Sequence, residues 1–249
     1  MSIPAAIRPF VLPLLLVALW QWATTGLPAT NRAPSPVRVA ARAAEMLASG
    51  EIPWAIFESL QRVALGFGIA ALLALAIGAA MGAFRGVGRN LDPLVESFRS
   101  IAPIALLPLA ILWFGNGTPA AAFFPMLINT IHGVRSVDPR LIQASRTLGV
   151  GSFTTLRTVL LPGALPSIFI GARLGLGVAW TSIIAAELAV GAKAGGGATG
   201  GIGQMMFVFY AYSVELNGIV VCMISVGIVA LLIDRGLRRL QGRIMPWTR

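Results

Sequence analysis

Charge is scarce in this chain, and three reactive residue types are almost missing. Of 249 residues only 11% are Asp, Glu, Lys or Arg, and there is one lysine (Lys193), one histidine (His132) and one cysteine (Cys222). The shortage of charge excludes a large soluble domain, because too little polar surface remains to cover a core. A single cysteine inside an apolar block excludes an internal disulfide and any cysteine-based metal site. His132 has no Glu at zinc-binding spacing, and nothing resembles a nucleophile elbow. The glycine-rich stretch Gly195 to Gly201 carries no Lys-Ser or Lys-Thr after its glycines, so it does not cradle a phosphate. Gly66-Phe67-Gly68 resembles part of a dinucleotide fingerprint but lies inside an apolar run. The expectation is a protein that is not an enzyme, with no catalytic residues, no metal and no cofactor of its own.

What the chain does have is apolar sequence: 57% of its residues are hydrophobic, gathered into long blocks. A spanning helix needs ~20 such residues, so lipid is the expected solvent and about six transmembrane helices fit. The spans are expected at about 9–27, 58–84, 101–115, 119–134, 166–190 and 214–233, within one transmembrane domain covering 1–249. The first is read as a retained span rather than a signal peptide, since Arg8 alone makes a poor basic leader and Trp20 and Trp22 suit an interfacial anchor. Residues 37–47 alternate arginine and apolar side chains at helical spacing and predict a short amphipathic helix on the membrane surface. Gly78, Gly82 and Gly86, four apart, predict a close helix–helix approach. Blocks 101–115 and 119–134 are short and contain Pro103, Pro108 and Pro125, which is tolerated where other helices bury them. Gly115-Asn116-Gly117 predicts a turn; the sequon Asn116-Gly117-Thr118 is read the same way. Pro166 is expected to open the fifth span.

The net charge of +10 comes mostly from arginine. Such a balance fits either nucleic acid or anionic lipid, and the distribution selects lipid: the arginines sit between apolar blocks and in the tail. Arg8, Arg85, Arg89, Arg99, Arg135, Arg140, Arg146, Arg157, Arg235, Arg238, Arg239, Arg243 and Arg249 fall on one side of a six-span arrangement. Arg32, Arg38, Arg42 and Lys193 fall on the other. The positive-inside rule then puts both termini and residues 135–165 in the cytoplasm.

Ionisable residues inside spans are costly in lipid and therefore informative. Arg173 and Glu187 share the fifth block. They lie ~21 Å apart along a helix and within ~40° of one face, so they cannot pair with each other. Either this face lines a polar path or each residue pairs with another helix. His132, with Asn129 and Thr130, reads as a packed, hydrogen-bonded cluster rather than a proton relay.

Residues 135–165 carry the most specific pattern: Gln143-Ala144-Ser145, three residues, Gly149, nine residues, then Val159-Leu160-Leu161-Pro162. This resembles the cytoplasmic signature of permeases of ATP-binding-cassette (ABC) importers: Glu-Ala-Ala, three residues, Gly, nine residues, Ile, any residue, Leu-Pro. The spacing agrees throughout, and Gln143, Ser145 and Val159 depart from the family residues. Further stretches are similar to the nitrate/sulfonate/taurine branch of that family, among them Leu91-Asp92-Pro93, Pro108 to Gly115, Gly133-Val134-Arg135, Leu161 to Pro166, Gly171 to Trp180 and Ala186-Glu187. Residues 191–201 are more glycine-rich than usual there.

The resemblance implies an all-α, polytopic fold of the type I ABC importer (MetI-like) class in the bacterial inner membrane. It implies cytoplasmic ABC ATPase subunits that hydrolyse ATP, a periplasmic substrate-binding protein, a second permease copy and no nucleic-acid partner. Gln143, Ala144, Ser145, Gly149, Val159, Leu161 and Pro162 would form the loop that docks on the ATPase. Asn129, Arg173, Trp180 and Glu187 are the candidates for the solute pathway, the solute being a small oxyanion such as nitrate, a sulfonate or taurine. The alternative is a stand-alone secondary carrier or channel, for which the loop pattern would have no use.

Overall fold

The computed structural model describes residues 8–25, 34–99, 120–191 and 200–245. Every regular element among them is helical: α1 (Arg8–Thr24), α2 (Pro36–Ala48), α3 (Glu51–Ala83), α4 (Arg85–Arg99), α5 (Ala120–Arg135), α6 (Pro139–Thr147), α7 (Ser152–Thr155), a π-helical turn (Leu156–Leu160), α8 (Leu161–Gly191), α9 (Ile202–Ala211) and α10 (Leu216–Ile244). Among the described residues, three helical stretches are long and apolar enough to cross a membrane: Glu51–Ala83, Ser152–Gly191 and Leu216–Ile244. They leave large apolar side chains exposed, among them Leu65, Ile69 and Leu72 on α3, and Met223, Leu231 and Leu232 on α10. Lipid accommodates such a surface; water does not.

Several elements depart from expectation. The expected span 101–115, the turn at Gly115-Asn116-Gly117, Lys193 and most of the glycine-rich 191–201 stretch lie outside the described residues. α3 begins at Glu51, before the apolar block, because Ile52 and Ala55 are buried and extend its packed face. α10 runs on to Ile244 through a charged stretch of good helix formers. Pro166 does not open the fifth span: it lies inside α8. The helix is already formed by then, and α9 has no counterpart in the expected spans.

The chain divides into two compact units. In the first (1–58 and 187–228), the Trp20 indole donates to the Pro34 carbonyl at 3.1 Å, and the Val37 amide donates to Gln21 Oε1 at 3.3 Å. These bonds tie the end of α1 to the start of α2. The amphipathic α2 is capped by Ser35 and places Arg42 against Glu215 at 2.7 Å and Glu45 at 2.8 Å, 5.8 Å from the Phe209 ring centre. Burial opposes the charge on Arg42, but hydrogen bonds to Glu45 and Glu215 outweigh it and hold its pKa above the ordinary arginine value.

The second unit (59–186 and 229–249) contains two close seams between helices. A methyl group placed on Gly78 would stand 2.8 Å from Thr130 Cβ, and one on Gly82 would stand 2.6 Å from Val134 Cβ. Both pairs share one sequence offset, so α3 and α5 run parallel. On the other side of α5, Gly163 meets Val137, Gly133 meets Ser167, and Gly171 meets Asn129. Here the residue numbers have a constant sum, so α5 and α8 run antiparallel. Without a hydrophobic drive inside lipid, association depends on backbones approaching closely, which these small residues permit. Gly86 does not join the seam and meets nothing within 4 Å, because α3 has ended at Ala83. The seams enclose two apolar clusters, one around Met81, Met126 and Leu127, the other around Val134, Leu160 and Ala164.

Candidate functional site

The segment from Asp138 to Pro162 is built from strong local signals. The Asp138 carboxylate accepts from the Arg140 amide at 2.8 Å, and Pro139 opens α6. At the other end Gly149 takes φ +73°, the left-handed conformation that glycine adopts without strain. The Gly149 amide donates to the Arg146 carbonyl and the Val150 amide to the Ser145 carbonyl, both at 3.0 Å. That pair of bonds is the Schellman closure of a helix end, and it turns the chain into α7.

The two arms of the bend are then pinned together. Ser145 is buried; its hydroxyl bonds the Ile142 carbonyl at 2.8 Å and lies 3.2 Å from the Thr155 hydroxyl. Ser145 in place of the family alanine therefore has a local partner, ten residues on. Gln143, the other polar departure, is exposed, as is Ala144. Beyond Thr155 the helix widens into a π turn in which the Leu161 amide donates five residues back, to the Leu156 carbonyl. Pro162 follows with no N–H to offer. Val159 lies in this turn, Leu161 starts α8, and Pro162 is exposed in its first turn. Ser152 to Gly191 is thus one helical stretch rather than a loop followed by a span. Around the bend Leu141, Leu148 and Phe153 are 54%, 81% and 75% exposed, high values for side chains of their kind.

The four pathway candidates separate. Trp180 and Glu187 are buried, and a Glu187 oxygen accepts from the Gly203 amide at 3.0 Å. The Asn129 amide is taken up by the Pro125 carbonyl of its own helix at 2.8 Å. Arg173 is the exposed one: its Nε donates to Asp234 Oδ1, and Asp234 Oδ2 is held in turn by Arg238 Nε at 2.8 Å and Nη2 at 2.7 Å. Asp234 is not among the sequence-based candidates because it lies one residue past the sixth apolar block, 214–233. Its spacing of four from Arg238 was the available signal. His132 does not pack with Asn129 and Thr130. It is exposed, whereas the Thr130 hydroxyl bonds the Met126 carbonyl within its helix. His132 instead lines a cavity of about 440 Å³ with Glu96, Asp92 and Arg135, the last two joined at 3.1 Å.

The signature residues thus form a bend closed by glycine that leads through continuous helix into an apolar span. The profile described as "binding-protein-dependent transport system inner membrane component" matches residues 1–245. The chain belongs to this family. The permease is 40% identical to the taurine transport system permease protein TauC of Escherichia coli over 199 residues, covering 76% of this chain and 68% of TauC. It is 32% identical to the nitrate import permease protein NrtB of Synechocystis sp. over 260 residues, covering 98% and 90%. It is 37% identical to the bicarbonate transport system permease protein CmpB of Synechococcus elongatus over 200 residues, covering 77% and 69%. Among solved structures, an inward-facing MetNI methionine ABC transporter shares the fold, with a TM-score of 0.60 and 21% identity over 74% of this chain and 91% of that one. The type I permease fold expected from the signature is therefore present, and the chain is a membrane permease subunit of an ABC importer.

Proposed function

We propose that the permease, paired with a second copy of itself, forms the inner-membrane pathway for a small oxyanion such as nitrate, a sulfonate or taurine. A periplasmic binding protein delivers the solute, and cytoplasmic ATPase subunits hydrolyse the ATP. Both termini lie in the cytoplasm. The bend from Gln143 through Gly149 to Pro162 docks on the ATPase, with Gln143, Ala144 and Ser145 in its first arm and Val159 and Leu161 at the root of its second.

The observation that carries this reading is mechanical. The second arm of the bend and the membrane helix are one stretch, Ser152 to Gly191. A movement imposed on the bend is therefore passed directly to the span that carries Arg173. The exposed Leu148 and Phe153 supply apolar anchors on the same tip. Of the four pathway candidates, Arg173 combines charge with exposure and is assigned to the pathway; Asn129, Trp180 and Glu187 are assigned to packing. The names of the relatives support an oxyanion as the cargo class.

The test is co-purification in mild detergent, comparing the wild type with Gly149→Val. Nothing lies within 4 Å of Gly149, so valine strains the backbone without a clash. The expected result is an ATPase subunit in equal amount with the wild type and its loss from the variant. A wild-type permease that purifies alone and moves solute without ATP would overturn the reading in favour of a stand-alone carrier.

A further inference from the structure

Arg173 lies ~18 Å along α8 from its first residue, well inside a helix apolar enough to cross the membrane. Its exposed neighbours form a stripe. Gly177 and Thr181 follow at intervals of four, and Ile170 and Leu174 complete an arc of ~100°. The seam against α5, at Ser167 and Gly171, lies roughly a quarter turn round the helix from this stripe. A guanidinium on an exposed stripe of a membrane span is poorly suited to lipid, a charge at the bilayer centre carrying a penalty of a few kcal/mol. The stripe therefore suits an aqueous path.

The partner of Arg173 has a particular arrangement. Asp234 divides its carboxylate, one oxygen to Arg173 and the other to Arg238. Two guanidiniums share one carboxylate, which leaves the cluster one positive charge in excess. If Arg173 lets go, Asp234 keeps Arg238, four residues on in its own helix, so release strands no carboxylate and leaves Arg173 open to an anion. A carboxylate oxygen on a guanidinium also has the chemistry of a nitrate, bicarbonate or sulfonate oxygen in that position.

We infer that Asp234 occupies Arg173 in place of the travelling solute and gives way to a monovalent oxyanion, so that it sets which anions pass and how tightly. This rests on the permease reading above and adds the site, its competitor and its charge class. Asp234 is a specificity-determining residue, and Gly177 and Thr181 line the route beside it.

The test uses the permease co-purified with its ATPase, carrying Cys222→Ser and Thr181→Cys, reconstituted in vesicles. Labelling of the new thiol by a charged thiosulfonate is followed against rising nitrate, bicarbonate or methanesulfonate, with chloride as reference. The expected result is labelling from water and protection by at least one of the three. Neutralising the competitor with Asp234→Asn should lower the half-protecting concentration about tenfold, and Asp234→Glu should restore it. Retained ATPase shows that each variant is folded. If the thiol is not labelled, if none of the three anions protects it, or if Asp234→Asn leaves the half-protecting concentration unchanged, the inference fails while the permease reading stands. If no ATPase accompanies the parent protein, both fall.

Discussion

The seams of the membrane core and the bend at Gly149 use glycine for opposite purposes. In the seams, Gly78 and Gly82 have regular helical backbone, and what matters is the missing side chain: Thr130 and Val134 occupy its place. At Gly149 the space around the residue is open, and what matters is the backbone, at φ +73°. The surroundings differ in the same way. The seams bury modest side chains completely, whereas the bend leaves Leu148 and Phe153 largely exposed. Inside lipid, apolar exposure costs nothing and close approach supplies the cohesion. In water, exposed apolar side chains carry a cost that burial against another surface would remove.

Filling a seam should have the largest effect. Gly82→Leu forces side-chain atoms into Val134 and should cost about 3 kcal/mol or more, lowering the melting temperature in detergent by roughly 10 °C. The same substitution at Gly86, which faces open space, should change it little. Equal losses at both sites would break the distinction drawn here.

At the tip the expectation is reversed, with stability kept and binding lost. Phe153→Ala or Leu148→Ala should weaken ATPase association by about 2 kcal/mol, roughly 30-fold, with an unchanged melting temperature. Titrating purified ATPase against the variants in nanodiscs measures this. Unaltered affinity would mean that the exposed side chains are incidental.

Within the bend, Ser145 and Thr155 offer a finer test. Either Ser145→Ala or Thr155→Val alone should destabilise the segment by about 1 kcal/mol, because one buried hydroxyl loses a partner. The double variant should recover part of the loss, which a double-mutant cycle followed by hydrogen exchange of residues 139–160 would reveal. The smallest effect is expected outside both regions. Arg42→Gln removes a half-buried ion pair with Glu215 and should cost about 0.5 kcal/mol, less as salt is raised.

Much of the architecture could be read directly because lipid imposes simple rules. Apolar blocks of spanning length located α3, α8 and α10, and the arginine-apolar alternation located α2. The signature spacing located the bend, since a helix end closed by glycine depends on residues close in sequence. The departures lie at helix boundaries and where long-range contact decides. α3 and α10 exceed their apolar blocks because packing at Ile52 and the Asp234–Arg238 pair extends them, and Pro166 sits inside a helix begun earlier. Trp180, Glu187 and Arg173 look alike as unusual residues of one span. Their different fates depend on which neighbour lies opposite each.

From sequence alone follow the membrane setting, the helical class, the family and the place of the bend at Gly149. Hydropathy, charge placement and glycine spacing act locally or one helix at a time. Tertiary structure alone decided that α8 is continuous with the bend, that α5 is gripped by two seams, and that Arg173 is held by a carboxylate sixty-one residues away. The reason is geometric. A helix shows its periodicity in sequence, but the partner of each face is set only when helices distant along the chain are brought side by side.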